Sequence, residues 1–571
     1  MSENIDTGWD ETVDLLVIGS GAGAMTAGIV AHDLGSDVLL IEKSERYGGS
    51  SAMSGGSLWI PNNHLMKEAG IEDSREESLN YLREITGGLV PIEKLEKYVD
   101  EAPQVLRYLE EKTHLRMLAL PAYADYYPRA KGSRPGGRSL DPMTFDARSL
   151  GDDLLSMNEQ NPQMLVMGRI FMTIPESRMM LTRAKGWIGL MSRLMFRYLF
   201  DVPWRFKSRR DRFLAMGNSL VGMLRQSMVD RGIPLRLETP ARELIAEDGR
   251  VVGAVVERGG VSVRIRARKG VILAAGGFEG NQNLREKYLP QPSRVEWSCA
   301  NKKNTGDAIE MARALGAALE FMDEGWWGPV TVVPGETNAR MLVIEKSLPG
   351  SVMVNQAGRR FVNEAAPYID VVNAQYADHS EESPCVPCYL IFDARFRKSY
   401  PVGPLLPGAQ QPDAFLPKAL KDGYVQKDDT VRGLAKKLGI DPDGLEATVA
   451  RMNEFARTGQ DTEFGRGDTV FDRYYGDEKV EPNPCLAPIA EAPFYGMESF
   501  PGELGTKGGL RTDVHARVLT ESGEVIEGLY AVGNCSSPVM GKTYAGAGAT
   551  LGPSTTFASI AARHAMARAG D

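Results

Sequence analysis

Gly19, Gly21, Gly23 and Ala24, followed by Glu42, carry the clearest chemical signal in the chain. Glycines at this spacing, with an acidic residue about 20 positions later, suit a pyrophosphate and a ribose. Gly19 allows a tight turn, and Gly21 lets the backbone approach a phosphate. Ala24, small in place of a third glycine, lets a helix pack close to a strand. Glu42 is placed to accept hydrogen bonds from ribose hydroxyls. Lys43 follows it directly, and Gly49, Ser50, Ser51, Ser54, Gly55 and Gly56 come next. So many small residues cannot build a core. They fit backbone lying against a flat ring and a diphosphate, with serine hydroxyls as donors.

The elements needed to place these residues are legible around them. Val13–Ile18 is an apolar, partly β-branched run, as in a strand buried on both faces. Ala24–Leu34 is compatible with a helix whose N-terminus offers free amides and a positive dipole end. Val38–Ile41 is a second buried strand. Further on, Ile233–Leu237, Ala241–Ile245, Val251–Val256, Val263–Ala267 and Gly270–Ala274 read as strands, with a hairpin turn at Glu247-Asp248-Gly249. Ala241, Ala275, Gly276, Gly533 and Asn534 sit at the starts or ends of such runs and are placed with the cofactor residues. Asn304 to Asp307 is expected to cap a helix reaching Leu315. Residues 401–480, rich in Pro, Asp and Gly, suggest an α+β insert, and Gly505–Gly509 a second glycine loop. Tyr544–Gly552, which includes Gly548, Thr550 and Leu551, opens a last helix to about Met566. The N-terminus of that helix suits developing negative charge.

Composition narrows the class. A net charge of −9 argues against nucleic acid as the main partner. The acidic N-terminus lacks the basic and apolar parts of a signal peptide, and no run reaches the ~20 apolar residues of a membrane span. Five cysteines, sparse and odd in number, suit a reducing cytoplasm. Cys385 and Cys388 form a lone CxxC, read as loop. The six histidines form no metal spacing, and His32 and His564 read as structural. Residues 187–200, WIGLMSRLMFRYLF, form an apolar helix with a polar stripe at Gly189, Ser192, Arg193 and Arg197. A basic flank follows at Arg205, Lys207, Arg209, Arg210 and Arg212. Two readings stand: an interfacial helix on the cytoplasmic face of a membrane, or a buried helix or oligomer contact. The membrane reading predicts that Leu194→Asp with Phe196→Asp releases the protein. The sequence does not set the oligomeric state.

Together the fingerprint, Gly48–Gly56, Asn304–Asp307 and Leu529–Asn534 resemble the fumarate reductase/succinate dehydrogenase-like flavoproteins. Asp125-Tyr126-Tyr127, Asn363-Glu364 with Pro367-Tyr368, and Tyr544 followed by Gly548 make the chain similar to the 3-ketosteroid Δ1-dehydrogenases over nearly its full length. The resemblance implies an α/β fold, a Rossmann-type FAD domain (1–297 and 489–571) with an inserted α+β catalytic domain (298–488). It implies non-covalent FAD, since no histidine stands in Lys43–Gly56. It also implies a site in which Tyr544 and the Gly548 amide hold the C3 oxygen of a 3-ketosteroid, Tyr368 takes the C2 proton, Tyr126 assists Tyr368, and flavin N5 accepts hydride from C1. A quinone is a plausible external electron acceptor. The alternatives are dehydrogenation at another ring position, a fumarate-type reductase using Arg359, Arg360 and Arg511, or a non-catalytic FAD-binding membrane-surface protein.

Overall fold

The computed structural model describes residues 8–182, 185–421 and 423–567. The fold is α/β. Glu11–Ile18 and Val38–Ile41 pair in parallel, with Leu15 opposite Val38 and Ile18 opposite Ile41. Leu235–Arg236 extends the sheet on one side, and Val261–Leu273 and Val525–Ala531 extend it on the other, all parallel. The central parallel strands are buried over residues 15–18, 38–41, 271–273 and 529–531, which is why they read as continuous apolar runs. Val261–Leu273 also pairs antiparallel with Arg250–Arg258, which in turn pairs with Ala241–Glu247. The two strands expected over 263–274 are therefore one. The strand expected at Ile233–Leu237 shrinks to its two paired residues.

Helix Ala22–Asp33 packs between this sheet and the final helix, Leu551–Ala567. A Cβ on Gly23 would stand 2.5 Å from Ser554 Oγ, and one on Gly28 would stand 2.7 Å from Leu40 Cδ1. Gly28, which the spacing argument passed over, is thus the position that admits the neighbouring strand's side chain.

A second sheet gathers on the long strand Phe494–Thr506, which pairs antiparallel with Gly325–Thr331, Cys388–Phe392 and Gln426–Asp428. Ser351–Val354 and Arg340–Met341 complete it. Cys388, expected in a loop, opens a buried strand opposite Ser499, and all five cysteines are buried free thiols. The helix after Asn304 spans Asp307–Arg313. Gly306, at φ +82°, occupies its cap position, and having no side chain it offers no side-chain cap.

The helix at Trp187–Leu199 exists, but its inward face is Leu190, Leu194 and Tyr198, packed with Ile170. Leu194 is fully buried and so cannot report on a membrane contact. Ile188, Phe196, Leu199, Phe200 and Phe206 are exposed instead. The basic flank is also less free than it reads. Arg210 donates to the carbonyls of Leu154, Met157 and Asn158, and Arg212 pairs with Asp201. Among the described residues, no helix is long and apolar enough to cross a membrane.

Candidate active site

The parallel strands end at Ile18, Ile41, Leu273 and Ala531. Gly19, Glu42, Ala275 with Gly276, and Gly533 with Asn534 follow these ends directly, so the sheet brings them to one edge. Ligands bind at this edge in open α/β sheets. Gly19 adopts φ +120°, and a Cβ there would meet the Ala274 carbonyl oxygen at 2.2 Å. Gly21 caps helix Ala22–Asp33 with no side-chain cap and no acidic residue in the first turn, which leaves that end to an anion. Ser51 Oγ accepts from the Ala22 amide at 3.1 Å and ties the short helix Gly49–Met53 to the fingerprint.

Ser50 Oγ accepts from the Asn301 amide and the Asn304 side chain, both at 3.2 Å. Ser54 Oγ donates to the Ser51 carbonyl and accepts from Gly56. A Cβ on Gly55 would touch only Ser57 Oγ, at 4.0 Å, whereas Gly56 lies against the backbone of Met216 and Gly217. Glu42 accepts from Ser20 Oγ at 2.5 Å and Ser44 Oγ at 2.7 Å. Ala241 opens its strand two residues after Thr239, whose amide donates to the Glu42 carbonyl. Lys43 turns its ammonium to Thr305 and Asp307, each at 2.6 Å. These features fit an FAD diphosphate and its rings. The sequence reading missed Glu279, buried beneath the site. It accepts from the Asn304 amide at 2.7 Å, and burial pushes its carboxyl up to about 7.

Three segments deliver the tyrosines. Tyr368 is the first residue of helix Tyr368–Asp378, after Pro367. The Tyr126 loop is anchored by the buried Asp125, which accepts from Trp59 Nε1, Arg138 and the Arg134 amide at 2.7–2.9 Å. The Tyr126 amide donates to the Ala545 carbonyl at 3.1 Å and fixes this loop to the Tyr544 segment. Tyr126 Oη donates to Tyr368 Oη at 2.9 Å. The rings of Tyr126, Tyr368 and Tyr544 lie 5.2–5.5 Å apart pairwise. Tyr544 Oη and Thr550 Oγ1 are 3.2 Å apart. Gly548 adopts φ +92°, and a Cβ would clash with the backbone of Ser57 and Leu58. Its amide donates to no acceptor among the described residues.

Burial raises all three phenol pKa values; the hydrogen bond from Tyr126 works the other way at Tyr368, and Thr550 does so at Tyr544. The wall of the cluster includes Phe471, 4.8 Å from Tyr126, and Tyr474, 4.7 Å from Tyr123. Tyr475 Oη lies 2.6 Å from Tyr123 Oη. The aromatic spacing 471, 474, 475 on one helical face was the available signal for these residues.

The sheet edge and the small-residue cradle define an FAD-binding flavoprotein. The family described as "FAD binding domain" matches residues 14–551. The 3-oxosteroid 1-dehydrogenase of Mycobacterium tuberculosis is 40% identical, with 98% of this chain and 99% of that protein covered. The 4-oxocyclohexanecarboxylate 2-dehydrogenase of Sinomonas cyclohexanicum is 35% identical, with 97% and 92% covered. A crystal structure of 3-ketosteroid delta1-dehydrogenase from Sterolibacterium denitrificans, in complex with 1,4-androstadiene-3,17-dione, superposes with a TM-score of 0.95 at 48% identity. It covers 98% of this chain and 100% of its own. The chain belongs to the 3-oxosteroid 1-dehydrogenase family of FAD-dependent oxidoreductases.

Proposed function

We propose that the protein introduces a C1–C2 double bond into ring A of 3-ketosteroids. The observation that carries this reading is the convergence of Tyr126, Tyr368 and Tyr544 beside a Gly548 amide that has no acceptor among the described residues. Tyr544 Oη and the Gly548 amide hydrogen-bond the C3 oxygen, and hold it more tightly as negative charge develops. Tyr368 takes the C2 proton, and the hydrogen bond from Tyr126 lowers the cost of charge on Tyr368. Bound FAD, held without a covalent bond, supplies the hydride acceptor for the C1 hydrogen. Residues 1–297 and 489–571 hold the cofactor in this reading, and 298–488 close over it, with strand Phe494–Thr506 shared by both.

A dicarboxylate reductase is disfavoured because two of its three candidate cations are engaged and the third is on the surface. Arg360 is bound to Glu364 and Asp461, Arg511 donates to the Thr520 and Glu521 carbonyls, and Arg359 is exposed. The test is anaerobic addition of a 4-ene-3-ketosteroid to the holoenzyme. Bleaching of the flavin is expected. Oxidation of the reduced enzyme by fumarate, with no bleaching by steroid, would overturn the reading.

The exposed face of Ile188, Phe196, Leu199, Phe200 and Phe206 supports a second, separate proposal of peripheral membrane contact on the cytoplasmic side, rimmed by Arg209 and by Lys207, whose ammonium pairs with Asp152. A quinone dissolved there is the proposed electron acceptor. Phe196→Asp with Phe200→Asp should release the protein from anionic vesicles. Equal vesicle binding by the unmodified and double-substituted proteins would remove the proposal.

A further inference from the structure

Lys507 follows the last residue of the long strand, and its side chain is fully buried. Its amide donates to the Glu324 carbonyl at 2.9 Å, which roots the side chain. Its Nζ donates to the Thr543 carbonyl at 2.6 Å and stands 4.5 Å from the centre of the Trp326 ring. Trp326 meets Tyr544 edge-on at 4.9 Å, and its Nε1 donates to Asn534 Oδ1 at 3.1 Å. One ammonium therefore touches both supports of Tyr544, the preceding peptide and the ring packed against it.

We propose that Lys507 is a positioning residue for ketone activation, placing a positive charge behind Tyr544 through the Thr543 carbonyl and the Trp326 ring. The inference rests on the assignment of Tyr544 as the C3-oxygen donor. Charge that develops on the ketone oxygen then meets an attractive field in a site of low dielectric, where such a field is strong. Three charged groups face the ammonium. Glu324 and Asp370 raise the Lys507 pKa, and Lys542, itself 3.1 Å from Glu324, lowers it. Asp370 also accepts from Tyr127 Oη at 3.2 Å. Burial outweighs these and pushes the ammonium down to about 7, so the charge is present below that pH and lost above it.

The test is the rate of anaerobic flavin bleaching by a 4-ene-3-ketosteroid, from pH 6 to 9, in holoenzyme carrying Lys507, Lys507→Met or Lys507→Arg. Below pH 7, Lys507→Met should be about tenfold slower than the unmodified enzyme, less than the loss of a direct oxyanion donor. The gap should close as pH rises and the lysine loses its own charge. Lys507→Arg keeps a charge throughout, so its rate relative to the unmodified enzyme should rise across the same interval. A purely structural lysine would slow both variants by a pH-independent factor, and that result overturns the inference while leaving the dehydrogenase reading intact. If Lys507→Met does not retain FAD, the Lys507→Arg comparison decides alone. If the unmodified enzyme fails to bleach, the dehydrogenase reading falls, and this inference falls with it.

Discussion

Glu364 and Tyr368 lie four residues apart in one segment, yet their surroundings differ in kind. Glu364 is wholly buried among charges. Arg360 grips both its oxygens at 2.8–3.0 Å, Arg466 reaches it at 3.1 Å, and Asp461 takes the other side of Arg360. Burial alone would raise the carboxyl pKa, but the two guanidinium groups hold it below its usual value. Tyr368 is also buried, but its polar neighbours are phenols, and burial drives its pKa up. The first arrangement uses compensated charge to hold a segment still. The second puts neutral phenols at the reacting atoms and keeps its one nearby cation, Lys507, behind Tyr544. Neutral groups at the point of reaction suit a site in which charge must be worth most in the transition state.

The largest effect should come from the phenol side. Tyr368→Phe should lower kcat by about 10²–10⁴ with FAD content and melting temperature unchanged, as read by stopped-flow bleaching. An equal loss of FAD would move Tyr368 to the structural side of the contrast. Tyr544→Phe should cost on the order of 10²–10³ in the same measurement. On the ionic side, Glu364→Gln should lower stability by about 3–5 kcal/mol in urea unfolding, because two buried guanidinium groups lose a partner. Folded Glu364 has a depressed pKa, so its contribution is present above the ordinary value of 4.5 and fades as pH falls through the folded value. The Gln variant should therefore show a weaker loss of stability on acidification. The smallest effect separates the two regions by pH alone. Tyr368 must give up its own proton to act as base, so in Lys507→Met holoenzyme, which lacks the titrating ammonium, the reductive step should quicken from pH 7 toward pH 9, while unfolding free energy carries no Glu364 contribution to that change. A bleaching rate that falls over the same range in that variant would remove Tyr368 as the base.

Sequence alone determined the cofactor unit, because it is local. A strand, a glycine turn, a helix and an acidic strand end occupy 32 consecutive positions, 11–42, and each is dictated by sterics and periodicity within a few residues. The choice of Tyr126, Tyr368 and Tyr544, and their meeting, were carried by resemblance rather than by any local rule. Tyr126 and Tyr368 stand 242 positions apart, and no local rule brings them to 2.9 Å. The inner face of the Trp187–Leu199 helix was likewise undetermined. Periodicity separates apolar from polar faces, but it does not say which of several apolar side chains meets the protein, and packing chose Leu194 over Phe196. Asn304 to Asp307 looked like a helix cap, but Gly306 takes the cap position and Asn304 is a partner of Glu279 and Ser50, a contact between distant segments that no local rule gives. Lys507 read as part of a glycine loop; only the closing of the second sheet onto the Tyr544 segment turned it into a buried cation.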